Sequence, residues 1–238
     1  MSDDLSASSI DPTTVNFEQL YRGAALAPGL RLEKPPWDIG RPQPLLVAVE
    51  RAGRITGEVL DIGCGSGDTA VHLAERGYRV TGVDIAPTAI DQARTRAAGR
   101  DLPVTFAVAD ATTLAGYDNH FDTVVSSALL HCLSPTQRRS HISALARVTK
   151  PGGHLIQFSF AATEHAHLYA PYPLSESELR NEFTTSDWNV TTLRPQYIEA
   201  VNPPDAIRKV FASSGFHPET DETGELRLPV HLLEAQRV

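Results

Sequence analysis

The chain is poor in cysteine: Cys64 and Cys132 are its only two among 238 residues. Two distant cysteines exclude a disulfide framework and a C-x-x-C metal or redox site. Long apolar runs are missing too, since no stretch approaches the roughly 20 apolar residues a membrane helix needs. The segment Met1 to Thr14 is acidic and Ser-rich and lacks the apolar core of a secretory signal, so a cytoplasmic protein is expected. Basic clusters are scarce. The 21 Lys and Arg are scattered against 29 Asp and Glu, for a formal net charge of -8 and a pI of about 5.6. The densest basic run is the pair Arg138-Arg139, read as a solvated helix face. Proteins that bind long nucleic acid carry a basic patch or stripe, so no nucleic-acid partner and no membrane is expected. Repeats and low-complexity tracts are absent as well.

What is present is an ordinary globular composition, 41% hydrophobic and 21% charged, long enough for one α/β domain with a full core. A single domain over residues 1–238 is expected, with 1–44 as tail and cap and 45–238 as core. Asn16 is placed to cap a short helix through Arg22, with Gln19 at the third helical position. Residues 23–44 are rich in Gly and Pro and read as a long ordered loop or lid. A helix from Leu45 to Ala52 is stopped by Gly53.

An alternation of strands and helices follows. Strands are predicted at Glu58–Ile62, Tyr78–Val83, Val104–Ala109, Phe121–Ser126 and His154–Phe160. Between them lie helices at Thr69–Arg76, from Pro87 to about Ala98, and from the Ser134-Pro135 start to about Val148. Pro151-Gly152-Gly153 breaks the last of these. Such alternation implies a parallel sheet covered on both faces. Asn189–Glu199, a helix at Asn202–Ser214 and a strand at Leu226–Ala235 suit an antiparallel edge.

The informative stretch is Val59-Leu-Asp-Ile-Gly-Cys-Gly-Ser-Gly-Asp68, where a strand runs into Gly63, Gly65 and Gly67 before a helix. Glycines allow tight turning and close backbone approach, and the helix start offers free N–H groups, so the loop can cradle a nucleotide-like ligand. Gly65, Gly67 and Ala70 also satisfy the fingerprint of NAD enzymes, with Asp84 at a suitable distance. Two features favour another ligand. Asp61 precedes the glycines, where a carboxylate repels a pyrophosphate but suits a sulfonium or an amino group. Asp110, followed by Ala111, can accept from an adenine amine, and Asp84 from ribose hydroxyls.

Asp61-x-Gly63-x-Gly65-x-Gly67, Asp84, Asp110-Ala111 and Lys150-Pro-Gly-Gly153 together resemble the motifs of class I S-adenosylmethionine-dependent methyltransferases. The resemblance covers about residues 45–160. It implies a Rossmann-like fold: a mostly parallel seven-stranded sheet, helices on both faces and an N-terminal cap. It also implies that the glycine loop carries the methionine part of the cofactor, Asp84 the ribose and Asp110 the adenine, with Ile85 packed on the adenine face. Ser126 and Ser127 fall where the family places a further cofactor contact. The product is S-adenosylhomocysteine.

Pro36-Trp37-Asp38-Ile39-Gly40-Arg41-Pro42 resembles a segment of thiopurine, thiol and halide methyltransferase relatives. That resemblance puts Trp37 beside the methionine end, where a ring face favours a sulfonium by about 0.5–2 kcal/mol. Tyr21 is a candidate to close over the same site. From Asn16 through this segment the chain is similar to the actinobacterial heterocyclic toxin methyltransferases, which implies methyl transfer to a hydroxyl on a quinoline- or quinone-type ring. A thiol acceptor, an NAD-dependent oxidoreductase and a non-catalytic cofactor-binding module remain alternatives.

A phenolic acceptor must lose a proton, and a histidine can take it. His131, just after the fourth strand, is the candidate general base. His165 and His167 are runners-up. His165-x-His167 beside Glu164 has no further ligand marked by spacing, so no metal is expected. Tyr169, Tyr172, Trp188 and Tyr197 are candidates for an apolar acceptor pocket.

Overall fold

The computed structural model describes residues 12–27, 30–184 and 187–238. The expected tail through Asp11 lies outside the described residues. Asn16 caps α1 (Phe17–Tyr21), its side chain accepting from the Gln19 N–H at 3.0 Å. The segment expected as a long ordered loop or lid includes a small antiparallel pair, β1 (Ala25–Ala27) and β2 (Leu30–Arg31). Then come α2 (Pro44–Arg51), β3 (Glu58–Ile62), α3 (Asp68–Glu75), β4 (Arg79–Asp84), α4 (Pro87–Ala97), β5 (Val104–Val108) and β6 (Phe121–Ser127). The later elements are α5 (Pro135–Val148), β7 (Thr149–Phe160), α6 (Glu176–Thr184), β8 (Trp188–Ala200), α7 (Asp205–Ser213), β9 (Glu219–Thr220) and β10 (Leu226–Arg237).

The main sheet runs β5-β4-β3-β6-β7-β10-β8, with β9 paired to β10. It has eight strands rather than the expected seven, because the two-residue β9 is too short to leave a periodic signal. Strands β5, β4, β3, β6 and β7 are mutually parallel, and β10 runs antiparallel between β7 and β8. The order reverses between β3 and β6, so a crevice opens outside the carboxyl ends of these strands. Side chains alternate between the two faces. Val59, Val80, Val125 and Ile156 pack under α2, α3 and α4, while Leu60, Val124, Leu155 and Leu233 pack under α5 and α6. Among the described residues no helix is long and apolar enough to cross a membrane.

Two further departures have local causes. Strand β7 begins at Thr149, before Pro151-Gly152-Gly153, because Thr149 pairs with Phe121 and the register then shifts. Helix α6 was not anticipated; it is short, and only Leu179 and Phe183 of its residues are buried.

The register shift needs a bare Cα at Gly153. A Cβ there would stand 2.9 Å from the carbonyl oxygens of Asp122 and Lys150 and 2.6 Å from the Thr149 methyl. Gly153→Ala is expected to cost about 2 kcal/mol through overpacking. Urea denaturation checks this, and an unchanged midpoint would mean that the strand start relaxes freely.

Candidate functional site

The crevice is built from the ends of β3, β4, β5 and β6. After β3, Gly63, Gly65 and Gly67 take φ of +72, +53 and +86, a left-handed backbone that side-chain-bearing residues rarely adopt. The loop is anchored to β4 by the Gly63 and Cys64 N–H groups donating to the Val83 carbonyl at 2.8 and 3.0 Å. Gly67 also lets α3 approach α4, since a Cβ there would stand 2.8 Å from the Ala93 Cβ.

Asp84 ties the loop further. Its Oδ2 accepts from the Gly65 N–H at 2.9 Å and its Oδ1 from the Ala86 N–H at 2.9 Å. Burial raises its carboxyl, and the Ala86, Gly65 and Ile85 N–H groups draw it back down. Asp61 lies one strand over, 1% exposed, with Oδ2 bonded to nothing among the described residues. Burial first, then the Asp84 charge, pushes its carboxyl up to about 7, and the Ala70 N–H opposes that. The negative field reaches the turn beyond β6: burial and then Asp84 push the Cys132 thiol up to about 12.

Beyond Asp84, Ile85 is 60% exposed and Val108, opposite Asp84 on β5, is 51% exposed. These apolar side chains stand bare at the crevice, flanked by the exposed Asp110 and the half-buried Ala111. Asp110 Oδ1 accepts from the Thr112 N–H and hydroxyl, each at 2.7 Å, which fixes the turn. At the end of β6, Ser127 is half-buried, whereas Ser126 is fully buried with an unpartnered hydroxyl. Ala128 takes φ +60, costing about 1–2 kcal/mol for a residue with a Cβ. That turn carries Leu129 over Gly63, within 3.3 Å of where a Cβ would be.

The cap closes the crevice from above. The Trp37 indole N–H donates to the Tyr21 hydroxyl at 2.9 Å, and that hydroxyl lies 2.6 Å from where a Gly65 Cβ would stand. Trp37 keeps 36% of its surface exposed, and Phe17 packs on its ring. Asp38 Oδ2 accepts from the Ser66 hydroxyl at 2.9 Å, tying the cap to the glycine loop. Glu18 accepts from the Thr88 N–H at 3.0 Å and hydroxyl at 2.7 Å, tying α1 to α4. Sequence reasoning missed Val108, Leu129 and the Asp38–Ser66 and Glu18–Thr88 ties. No local signal marks these ties, because each joins residues far apart in the chain.

His131 sits in a 3-10 turn (Leu130–Cys132), 3% exposed. The Phe160 N–H donates to its Nδ1 at 3.3 Å. Burial, with help from Arg138, depresses its pKa to about 3, so the ring is neutral. A bare, occupied Nδ1 puts the ring proton on Nε2. Tyr169 stacks on Phe216 at 5.6 Å, and the Tyr172 N–H donates to the His131 carbonyl at 2.9 Å. Trp188 is 4% exposed and begins β8, opposite Arg237, at the far edge of the sheet from the crevice. Tyr197 is 45% exposed beneath the Arg227 guanidinium.

The donor set fits S-adenosylmethionine. The crevice holds an unpartnered buried carboxylate oxygen for a cationic end, a glycine backbone with no side chain in the way, and bare aliphatic surface for a flat base. These features define a nucleotide-cofactor enzyme of the doubly wound type. A family model described as a methyltransferase domain matches residues 59–153. The 2-heptyl-1-hydroxyquinolin-4(1H)-one methyltransferase of Mycobacteroides abscessus is 40% identical over 186 residues, 77% of this chain and 81% of that one. A protein solved in connection with the conversion of a disulfide bond into a thioacetal group during echinomycin biosynthesis superposes with a TM-score of 0.76 at 35% identity, covering 93% of this chain and 90% of that one. A SAM-dependent methyltransferase from Methanosarcina mazei gives 0.60 at 26% identity, covering 76% and 92%. The chain belongs to the class I S-adenosylmethionine-dependent methyltransferases, and S-adenosylmethionine is its cofactor.

Asp61 gives the site a pH signature. Its folded carboxyl titrates at about 7, against an ordinary value of 3.8. Between these values the folded state holds a proton that the unfolded chain releases, so this group's contribution to stability falls as pH rises. Asp61→Asn is expected to leave the ligand-free melting temperature little changed at acid pH and to raise it by roughly 2–6 °C at alkaline pH. Scanning fluorimetry checks this; an equal shift at every pH would show that the ionised form carries no burial cost.

Proposed function

We propose that this methyltransferase methylates a ring hydroxyl of a small heteroaromatic acceptor, of the quinoline or quinone type, with residues 1–238 working as one unit. The observation that carries the reading is the layout of the strand ends: Asp61, Asp84 and Asp110 follow one another across β3, β4 and β5, under a cap that brings Trp37 and Tyr21 to Gly65. In this reading Gly63, Gly65 and Gly67 let the backbone meet the methionine portion, and Asp61 supplies its negative field. Trp37 offers a ring face to the sulfonium. Asp84 takes the ribose hydroxyls on lone pairs left free beside its two backbone bonds. Ile85 lies on the adenine face, Asp110 and Ala111 meet the adenine edge, and Ser127 lines the β6 side. His131 borders the acceptor.

When bound, the cofactor supplies an electrophilic methyl on a positive sulfur. The chain's part is to orient the acceptor, hold the reacting atoms about 3–3.5 Å apart in line and exclude water. The hydroxyl acceptor is supported by the 40% identical hydroxyquinolone methyltransferase. A sulfur acceptor is the second reading, favoured by the 35% identical relative from the thioacetal conversion.

Calorimetry with S-adenosylmethionine and S-adenosylhomocysteine, followed by a mass-read screen of ring-hydroxylated quinolines and of thiols, tests this. Asp84→Ala is expected to weaken cofactor binding by about 10- to 100-fold through loss of charge-assisted hydrogen bonds. Methylation of thiols alone would transfer the assignment to the second reading, and saturable binding without any methylated product would make the chain a sensor.

A further inference from the structure

Helix α5 turns two polar side chains onto the backbone of the segment that links β5 to β6. Arg147 Nη2 donates to the Leu114 carbonyl at 3.1 Å and also to the Thr113 carbonyl. Nearer the start of the helix, His141 is fully buried, with Nδ1 2.9 Å from the Ala111 carbonyl oxygen. A carbonyl oxygen only accepts, so Nδ1 carries the hydrogen. Burial lowers the imidazole to about 4, against the Ala111 bond and the Asp110 charge, so the ring is neutral near pH 7 and Nε2 is bare. That Nε2 is buried with no hydrogen-bond partner among the described residues. A ring with no exposed surface lines no part of the open crevice. An apolar side chain would fill the same space without stranding a buried acceptor.

The one polar contact His141 makes falls on the turn that carries Asp110. Asp110 Oδ1 accepts from the Thr112 N–H and hydroxyl, each at 2.7 Å, and its carbonyl accepts from the Thr113 and Leu114 N–H groups, each at 3.1 Å. All of these bonds are local. Among the described residues, the His141 bond is the only hydrogen bond that joins residues 110–112 to another element. Its target is one end of a peptide group whose other end is the Thr112 N–H. A peptide group is planar and trans, so its C=O and N–H point in opposite directions. Holding the carbonyl toward α5 therefore holds the N–H toward Asp110 Oδ1, and with it the plane of the carboxylate.

We propose that His141 is a positioning residue for base recognition: by gripping the Ala111–Thr112 peptide group it aims the Asp110 carboxylate at the exocyclic amine of the cofactor's adenine. The inference rests on the proposed reading that Asp110 and Ala111 meet the adenine edge. It makes the choice of a 6-amino purine over a 6-oxo purine depend on a side chain that does not itself touch the base. With the imidazole N–H removed, the peptide group is free to rotate, the Thr112 N–H leaves Oδ1 and the carboxylate turns to solvent. An amine donor then loses its acceptor, whereas a 6-oxo base, which has no such donor, loses nothing.

The test is calorimetry on the full chain with S-adenosylhomocysteine and with S-inosylhomocysteine, its 6-oxo counterpart. The wild type should prefer the adenosyl ligand by about 10- to 100-fold. His141→Leu should weaken S-adenosylhomocysteine by about 5- to 20-fold and leave S-inosylhomocysteine within about twofold, so that the preference collapses. His141→Asn, whose amide offers an N–H near the place of Nδ1–H, should restore most of it. An equal loss for both ligands in the Leu variant, or an Asn variant no better than Leu, would show a merely structural histidine and overturn the inference. Asp110→Asn, which puts a donor in place of the acceptor, should abolish the preference. If it does so while His141→Leu does not, the adenine contact stands and the inference alone falls. If it does not, or if the wild type binds both ligands alike, the reading of Asp110 is withdrawn and the inference with it. Nitrogen-15 NMR of the wild-type protein needs no variant to fold. His141 should be the neutral Nδ1–H tautomer at pH 7, and an Nε2–H tautomer would overturn the inference, since a bare nitrogen has nothing to donate to a carbonyl.

Discussion

Asp84 accepts one backbone N–H on each carboxylate oxygen, from Gly65 across the loop and from Ala86 beyond β4. That double contact fastens the glycine loop to the neighbouring strand, and the crevice depends on it. With the loop so held, the left-handed turns at Gly63, Gly65 and Gly67 present bare backbone rather than side chains. Burial raises Asp61 and the Cys132 thiol first, and the charge of the same carboxylate raises both further. A site that concentrates unneutralised negative charge in a poorly hydrated crevice is costly without a ligand and favourable with a cationic one. This is how the fold expresses a preference for a sulfonium over a pyrophosphate.

The cap contributes by a different route. It is fixed by apolar packing, Leu20 and Leu32 joining Ile207, Phe211, Leu226 and Leu228, and by polar ties to several elements. Glu18 reaches the start of α4, Asp38 reaches Ser66, and Arg41 reaches Glu199 and Glu225 at 2.7 and 2.6 Å. Gln43 adds a reciprocal pair with the Glu199 backbone, at 2.8 Å in each direction. Surface pairs of this sort are individually worth little, about 0–1 kcal/mol each. Their value here is geometric: together they place Trp37 and Tyr21 over Gly65. Arg41 also accounts for the cluster of Glu199, Asp221 and Glu225, whose charges gather around its guanidinium.

His131 is set against a row of neutral rings. Phe160, Tyr169 and Phe216 form a continuous aromatic file behind His131, and the imidazole is kept uncharged by the same burial.

Much of this was legible in the sequence, because its signals are local. Short apolar runs alternating with helical segments marked β3 to β6 within a residue or so, Ser134-Pro135 marked the start of α5, and the spacing of glycines and acids located the cofactor crevice. Each of these depends on backbone preferences of a few neighbouring residues. What only the tertiary structure decided depends on groups distant in the chain. The Phe160 N–H, 29 residues from His131, determines which nitrogen of that ring carries the proton. The register of β8 against β10 removes Trp188 to the far edge of the sheet. Nothing in the residues around His131 or Trp188 encodes those facts, since hydrogen-bond partners and burial are properties of the folded neighbourhood, not of the local chain.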